Sequence, residues 1–149
     1  MSARPILYSF RRCPYAMRAR MTLLYAGIEV RLREVILKDK PAAMLAASSK
    51  GTVPVLIQSD GTVVDESRDI MRWALNQNDP AGWLECADGD NLLVDRCDNE
   101  FKHWLDRYKY AVRFPEHDEG WYRQQGEQFL AQLEIRLSQW HYLTGASLS

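Results

Sequence analysis

The chain has 149 residues, 46% hydrophobic and 26% charged, a globular composition long enough to bury a core and too short for a solenoid or a multidomain machine. Its net charge of −1 hides an asymmetry: residues 1–80 carry 12 Lys and Arg against 8 Asp and Glu, or +4, and residues 81–149 carry 7 against 12, or −5. The first half can attract a small anion, but its positive charges are too few and too scattered to make nucleic acid the partner.

No apolar run approaches the roughly 20 residues of a membrane span, and residues 1–5 are not followed by the apolar stretch of a secretory leader. The expectation is a cytoplasmic protein with reduced thiols and no membrane partner. Three cysteines, Cys13, Cys86 and Cys97, suit neither a disulfide framework nor a zinc spacing, so any role for sulfur is chemical.

In chain order, residues 6–10 are a short apolar and aromatic run that reads as a buried strand. Pro14 suits the first turn of a helix, where its missing N–H is no loss. Ala16, Met17, Met21, Leu24 and Tyr25 then recur near the helical period, and Gly27 stands where a helix ends. Residues 29–35 alternate with period two, predicting a strand with one wet face. A basic, proline-punctuated segment, residues 38–41, opens a weaker helix over 41–47.

Residues 52–57 and 61–64 are β-type runs joined by Ser59, Asp60 and Gly61, which is hairpin chemistry. Asp65, Glu66 and Ser67 supply acidic and capping side chains before a helix with Ile70, Met71, Trp73, Ala74 and Leu75 as its apolar face. The order to this point is β-α-β-α-β-β-α. Residues 79–90 are rich in breakers and read as a linker between a domain over 1–78 and a helical domain over 91–149.

Beyond the linker, Val94, Cys97, Phe101, Trp104 and Tyr108 alternate steps of three and four. Tyr122, Gly126, Phe129, Leu133, Leu137 and Trp140 do the same, giving two long amphipathic helices joined through residues 113–120. A hairpin of two such helices leaves apolar surface uncovered, and residues 143–149 stop in helix-start chemistry, so the all-α domain is expected to be incomplete. Trp104, Tyr108, Trp121 and Trp140 are expected in its core.

Cys13 is the first chemical candidate. It stands between a strand end and the helix beginning at Pro14, where first-turn N–H groups and the positive end of the helix dipole favour a thiolate. Ala16 replaces the second cysteine of a Cys-x-x-Cys site, so resolution of a disulfide must come from another molecule's thiol. Val53 before Pro54 is the second: proline cannot join a strand ladder, X-Pro is the one bond for which cis is cheap, and the Val53 backbone is left open to an extended peptide.

Glu66 beside Ser67 at a helix start is the third, able to hold an ammonium and a carboxylate together, as at one end of an amino acid. The first and third have plainer readings: Cys13 as a small buried hydrophobe, Glu66 and Ser67 as an ordinary helix cap. Cys86 and Cys97 read as inert. His103, His117 and His141 are too dispersed for a metal site, and Asp88, Gly89 and Asp90 lack the rest of a calcium loop.

Residues 8–18 (YSFRRCPYAMR), 37–41 (LKDKP), 52–56 (TVPVL) and 65–67 (DES), in this element order, resemble the glutathione transferase superfamily, and within it the cysteine-bearing Omega-like classes and the glutaredoxins. The resemblance implies a thioredoxin-like first domain and an all-helical second. It implies Cys13 as the thiol forming a mixed disulfide with glutathione, and Lys40 near the glycyl carboxylate. Val53 would pair through its backbone with the cysteinyl part before cis-Pro54, and Glu66 with Ser67 would hold the γ-glutamyl end.

The activity implied is thiol transfer or reduction with glutathione as co-substrate, no metal, and a small electrophile or disulfide as the second substrate. Conjugation to electrophiles, supported by Tyr8, Ser9 or Cys13, is one alternative, and a non-catalytic binding or regulatory module is another. A homodimer is implied by the same resemblance. Lys40 has a plainer reading as a solvated surface lysine.

Overall fold

The computed structural model describes residues 3–148, except the side chains of residues 85–91. Cys86 and the Asp88–Asp90 pair therefore lie outside the described side chains. The chain divides into two compact units, Met1–Ala81 and Gly82–Ser149.

In the first unit the elements follow the predicted order: β1 (Ile6–Ser9), α1 (Pro14–Tyr25), β2 (Arg31–Glu34), α2 (Ala42–Ala47), β3 (Val55–Ile57), β4 (Val63–Val64) and α3 (Ser67–Gln77). The sheet order is β2-β1-β3-β4, with β1 parallel to β2 and antiparallel to β3, and β3 antiparallel to β4. Alternation along the strands splits the core into two layers. Leu7 and Leu56, opposite each other in register, face Ala19 and Leu23 of α1 and Ile70 and Ala74 of α3. Tyr8 and Val55, the next pair, pack with Val35 and Met44. Each fully buried aliphatic side chain contributes about 1.5–3 kcal/mol.

Helix α1 ends as its glycine predicts. Gly27 takes φ +70°, its N–H donates to Leu24 O at 3.0 Å, and the Ile28 N–H donates to Leu23 O at 2.9 Å, closing a Schellman turn. The helix does not bury the stripe read from the sequence, however. Ala16, Ala19, Thr22 and Leu23 are buried, whereas Met17, Met21 and Leu24 are exposed, Leu24 at 81%. Small side chains let α1 approach the sheet and α3 closely, and that selects the buried face over raw hydrophobicity. Strand β2 also departs from expectation: all four of its residues are exposed, because it is an edge strand.

The second unit begins earlier than the breakers imply. Gly82 at φ +68° caps α4 (Trp83–Arg96), which runs through most of the stretch 79–90 read as linker. Asp and Gly inside a helix cost at most about 1 kcal/mol each relative to Ala, which tertiary context overrides. Helix α4 passes through a π-helical turn, Cys97–Phe101, into α5 (Lys102–Lys109). After a 3₁₀ turn, Ala111–Arg113, helix α6 (Glu119–Gln139) returns, its first turn capped by the Asp118 carboxylate accepting from the Trp121 N–H at 2.7 Å.

Tyr122, Gly126 and Phe129 of α6 are buried as the stripe predicts, and Gly126 lets the Phe101 ring approach to 3.7 Å from where a Cβ would stand. Leu137 and Trp140, at 46% and 54% exposure, correct the expectation that the stripe and its last tryptophan are core. His103 lies edge-on to Trp104, and His117 stacks on Trp121 at 3.8 Å.

Candidate functional site

The connection from β1 to α1 is built around Cys13. Its N–H donates to Phe10 O at 3.0 Å, closing a turn over Arg11 and Arg12, and Met17 N–H returns to Cys13 O at 2.8 Å. Two charged side chains hold this turn. The Arg20 guanidinium donates to the Ser9 hydroxyl, to Phe10 O at 3.3 Å and to Arg11 O at 3.1 Å, and the Glu34 carboxylate accepts from the Arg11 N–H at 2.7 Å. Cys13, half-buried, is the N-cap residue of a twelve-residue helix with Pro14 at its first position.

Its side chain makes no capping hydrogen bond, contrary to the expectation that first-turn amides face the sulfur. Instead the thiol reaches across to the Val53 carbonyl, with Sγ 3.7 Å from the oxygen. The Val53-Pro54 peptide is cis, and β3 begins only at Val55, so Val53 stands outside the ladder. Among the described residues its N–H has no hydrogen-bond partner.

Glu66 and Ser67 start α3, as N-cap and first helical residue, yet neither caps it. Ser67 is buried, and its Oγ accepts from Arg18 Nε at 3.0 Å and Nη2 at 2.8 Å. Arg18, whose guanidinium also lies over the Tyr15 ring at 5.0 Å, thereby ties the helix that carries Cys13 to the head of α3. Glu66 faces Lys50, whose Nζ lies 2.6 Å from Glu66 Oε1 and 3.0 Å from Asp65 Oδ1. The plainer reading of Glu66 and Ser67 as a simple helix cap is thus corrected.

Lys40 is exposed, its Nζ 3.7 Å from where a Cβ of Gly51 would stand, and Gly51 itself takes φ +62°. Tyr8 and Ser9 are not presented to a ligand: both are buried, and the Ser9 hydroxyl is bound by Arg20. Arg18, Arg20, Glu34, Ser48 and Lys50 were not singled out from the sequence. Arg18 carried one signal, a charge among the small buried residues of α1, which demands a partner.

Electrostatics knit the head of α3. The Ser48 hydroxyl, buried, donates to Asp65 Oδ2 at 2.6 Å, and with Lys50 it holds the Asp65 carboxyl below its ordinary range. Glu66 first, and Asp65 next, hold the Lys50 ammonium above its ordinary value. Because the folded Asp65 pKa lies below the unfolded one, near pH 4, its contribution is present above that value and is lost as pH falls through the folded pKa. Ser48→Ala is expected to lose about 1 kcal/mol at neutral pH and less in acid, measured by urea unfolding at both. A deficit that stays constant into acid would assign the loss to packing alone.

A mixed four-stranded sheet with a cysteine heading α1 opposite a cis-proline, followed by a helical region, defines a thioredoxin-like domain joined to an all-α unit. Residues 7–82, more than half of the chain, match the family described as the glutathione S-transferase N-terminal domain, and the protein belongs to that family. It is similar to glutathione S-transferase omega-1 of Mus musculus, 41% identical over 61 residues that make up 41% of this chain and 25% of the relative.

It is also similar to glutaredoxin 2 of Escherichia coli (strain K12), 28% identical over 99 residues, 66% of this chain and 41% of the relative. The matches therefore span between a quarter and about two fifths of these relatives. Among solved structures, glutathione transferase Omega 3C from Trametes versicolor superposes with a TM-score of 0.82 at 21% identity, over 100% of this chain and 68% of that one. Glutathione S-transferase unclassified 2 from Bombyx mori gives 0.80 at 15% identity, over 97% and 72%. At such identities the likeness is one of fold.

Proposed function

We propose that this protein carries out glutathione-dependent thiol transfer or reduction, with Cys13 as the nucleophile. The observation that carries the reading is the Cys13 thiol lying 3.7 Å from the carbonyl of Val53, whose N–H is open beside a cis-proline. That backbone offers one donor and one acceptor to an extended cysteinyl residue, which brings the incoming sulfur to Cys13. Glu66 and Ser67 take the γ-glutamyl end, and Lys40 the glycyl carboxylate.

In the reaction, Cys13 Sγ attacks the glutathione sulfur of a glutathionylated substrate. The substrate S–S bond breaks, its thiolate leaves and takes up a proton, and Cys13 is left in a mixed disulfide with glutathione. A second glutathione thiolate attacks the glutathione sulfur of that disulfide, releasing oxidised glutathione and restoring Cys13. The net exchange consumes one glutathione thiol: the substrate's sulfur leaves as a thiol, and its glutathionyl group leaves joined to the incoming glutathione as the disulfide. Ala16, standing where a resolving cysteine would be, leaves this external route as the one open to the site. A homodimer and a cytoplasmic setting belong to the same proposal.

Incubation with oxidised glutathione followed by intact-mass measurement and peptide mapping tests it. One glutathionyl group on Cys13 is expected. An unmodified protein, or modification confined to Cys86 or Cys97, would overturn the assignment.

A further inference from the structure

Arg11 and Arg12 occupy the two central positions of the turn that the Cys13 N–H closes on Phe10 O, so both stand within two residues of the nucleophile. Both side chains are exposed, and among the described residues neither guanidinium has a hydrogen-bond or ion-pair partner. Glu34, the one carboxylate bonded to the turn among the described residues, accepts from the Arg11 N–H and leaves the Arg11 side chain unpaired. The Arg20 guanidinium, bonded to the carbonyls of Phe10 and Arg11, adds a third positive charge. The imbalance is regional. Residues 1–40, which form β1, α1 and β2, hold nine Lys and Arg against three Asp and Glu, or +6, whereas residues 41–80 hold three against five, or −2.

Consecutive Cα atoms are about 3.8 Å apart, so the two side chains are rooted within a Debye length of Cys13, roughly 8 Å at physiological salt. Any disulfide that presents a sulfur to Cys13 enters their field, whichever way the side chains turn. The glutathionyl group is common to every substrate of this reaction, and the leaving thiol is what differs. Two adjacent unpaired guanidiniums match several carboxylates in a row, which an acidic stretch of polypeptide supplies. We infer that the second substrate is a glutathionylated cysteine in an acidic polypeptide segment, drawn to Cys13 by the Arg11–Arg12 turn. The inference rests on the reading of Cys13 as the nucleophile of glutathione-dependent thiol transfer, and it names the substrate class that reading leaves open. The pair acts on encounter rather than on the chemical step: acidic partners associate faster, basic ones more slowly, and salt removes both effects.

The experiment measures exchange with glutathione by the full chain on two glutathionylated peptides of equal length, one with aspartates and one with lysines flanking the cysteine. Each rate is divided by that of the uncatalysed exchange of the same peptide. In about 0.01 M salt the acidic peptide is expected to be favoured on the order of tenfold in kcat/KM, falling to within about twofold at about 0.5 M. Arg11→Gln combined with Arg12→Gln is expected to remove most of the preference, and Arg11→Lys combined with Arg12→Lys to keep it. A second readout needs no glutathione: the ratio of Cys13 alkylation by iodoacetate, an anion, to that by neutral iodoacetamide, in which any change in thiol ionisation cancels. It is expected to fall about two- to fivefold in the Gln variant. No preference, a preference indifferent to salt, one kept by the Gln variant, or an alkylation ratio that this variant leaves unchanged would each overturn the inference. Exchange of neither peptide by the wild type, with the alkylation ratio still falling in the variant, would instead remove the transfer reaction itself, and this substrate class with it.

Discussion

Cys13→Ser is expected to abolish exchange between a glutathionylated substrate and glutathione, a loss on the order of 10³-fold or more, while glutathione affinity stays within about tenfold. The asymmetry follows from the geometry. A serine hydroxyl cannot form the S–S bond of the intermediate, so no weakened version of the same route survives. The groups proposed to bind glutathione are elsewhere: the Val53 backbone, Glu66 and Ser67 belong to other elements, and none of their hydrogen bonds runs through the sulfur except the contact at Val53 O. Exchange assays beside binding measurements on both proteins check the split. Retained exchange would move the nucleophile to another residue, and joint loss of exchange and binding would make Cys13 a structural element of the cleft.

The helices and strands that carry the site were legible because each rests on local chemistry. Pro14 and Gly27 bracket α1 and the Asp60 and Gly61 turn sets the β3–β4 hairpin, whereas residues 6–10 read only as a buried apolar run, and the split of Leu7 and Tyr8 into two core layers emerges from packing. What the sequence concealed depends on distance along the chain. Lys50 meets Asp65 and Glu66 only because the hairpin brings residues fifteen and sixteen positions away back to it, and no periodicity marks such a pair. Arg18 reaches Ser67 across 49 positions by the packing of α1 on α3. The same packing explains the misread stripe on α1: hydrophobicity ranks Met21 and Leu24 above Ala16 and Ala19, whereas close approach requires the small residues inside.

That packing sets the second large effect. Ile70 is fully buried where α3 meets Leu7, Leu56, Ala19 and Leu23, and its N–H donates to Glu66 O at 2.9 Å in the first turn of α3. Ile70→Ala removes buried carbon from a site walled by sheet and helix, with little freedom to collapse, and is expected to cost about 2–5 kcal/mol. A domain is stable by only about 5–15 kcal/mol, so the variant should sit near its unfolding threshold. Saturating glutathione should restore part of the loss by mass action, since the first turn of α3 carries Glu66 and Ser67.

Leu32→Ala, at a side chain 51% exposed on edge strand β2, is the matched comparison and should cost no more than about 0.5 kcal/mol. Urea unfolding of both variants distinguishes the two positions. Equal losses would mean that the Leu32 face of the sheet is covered in solution by another molecule of the same chain, and dilution would then separate the two variants where single-chain burial could not.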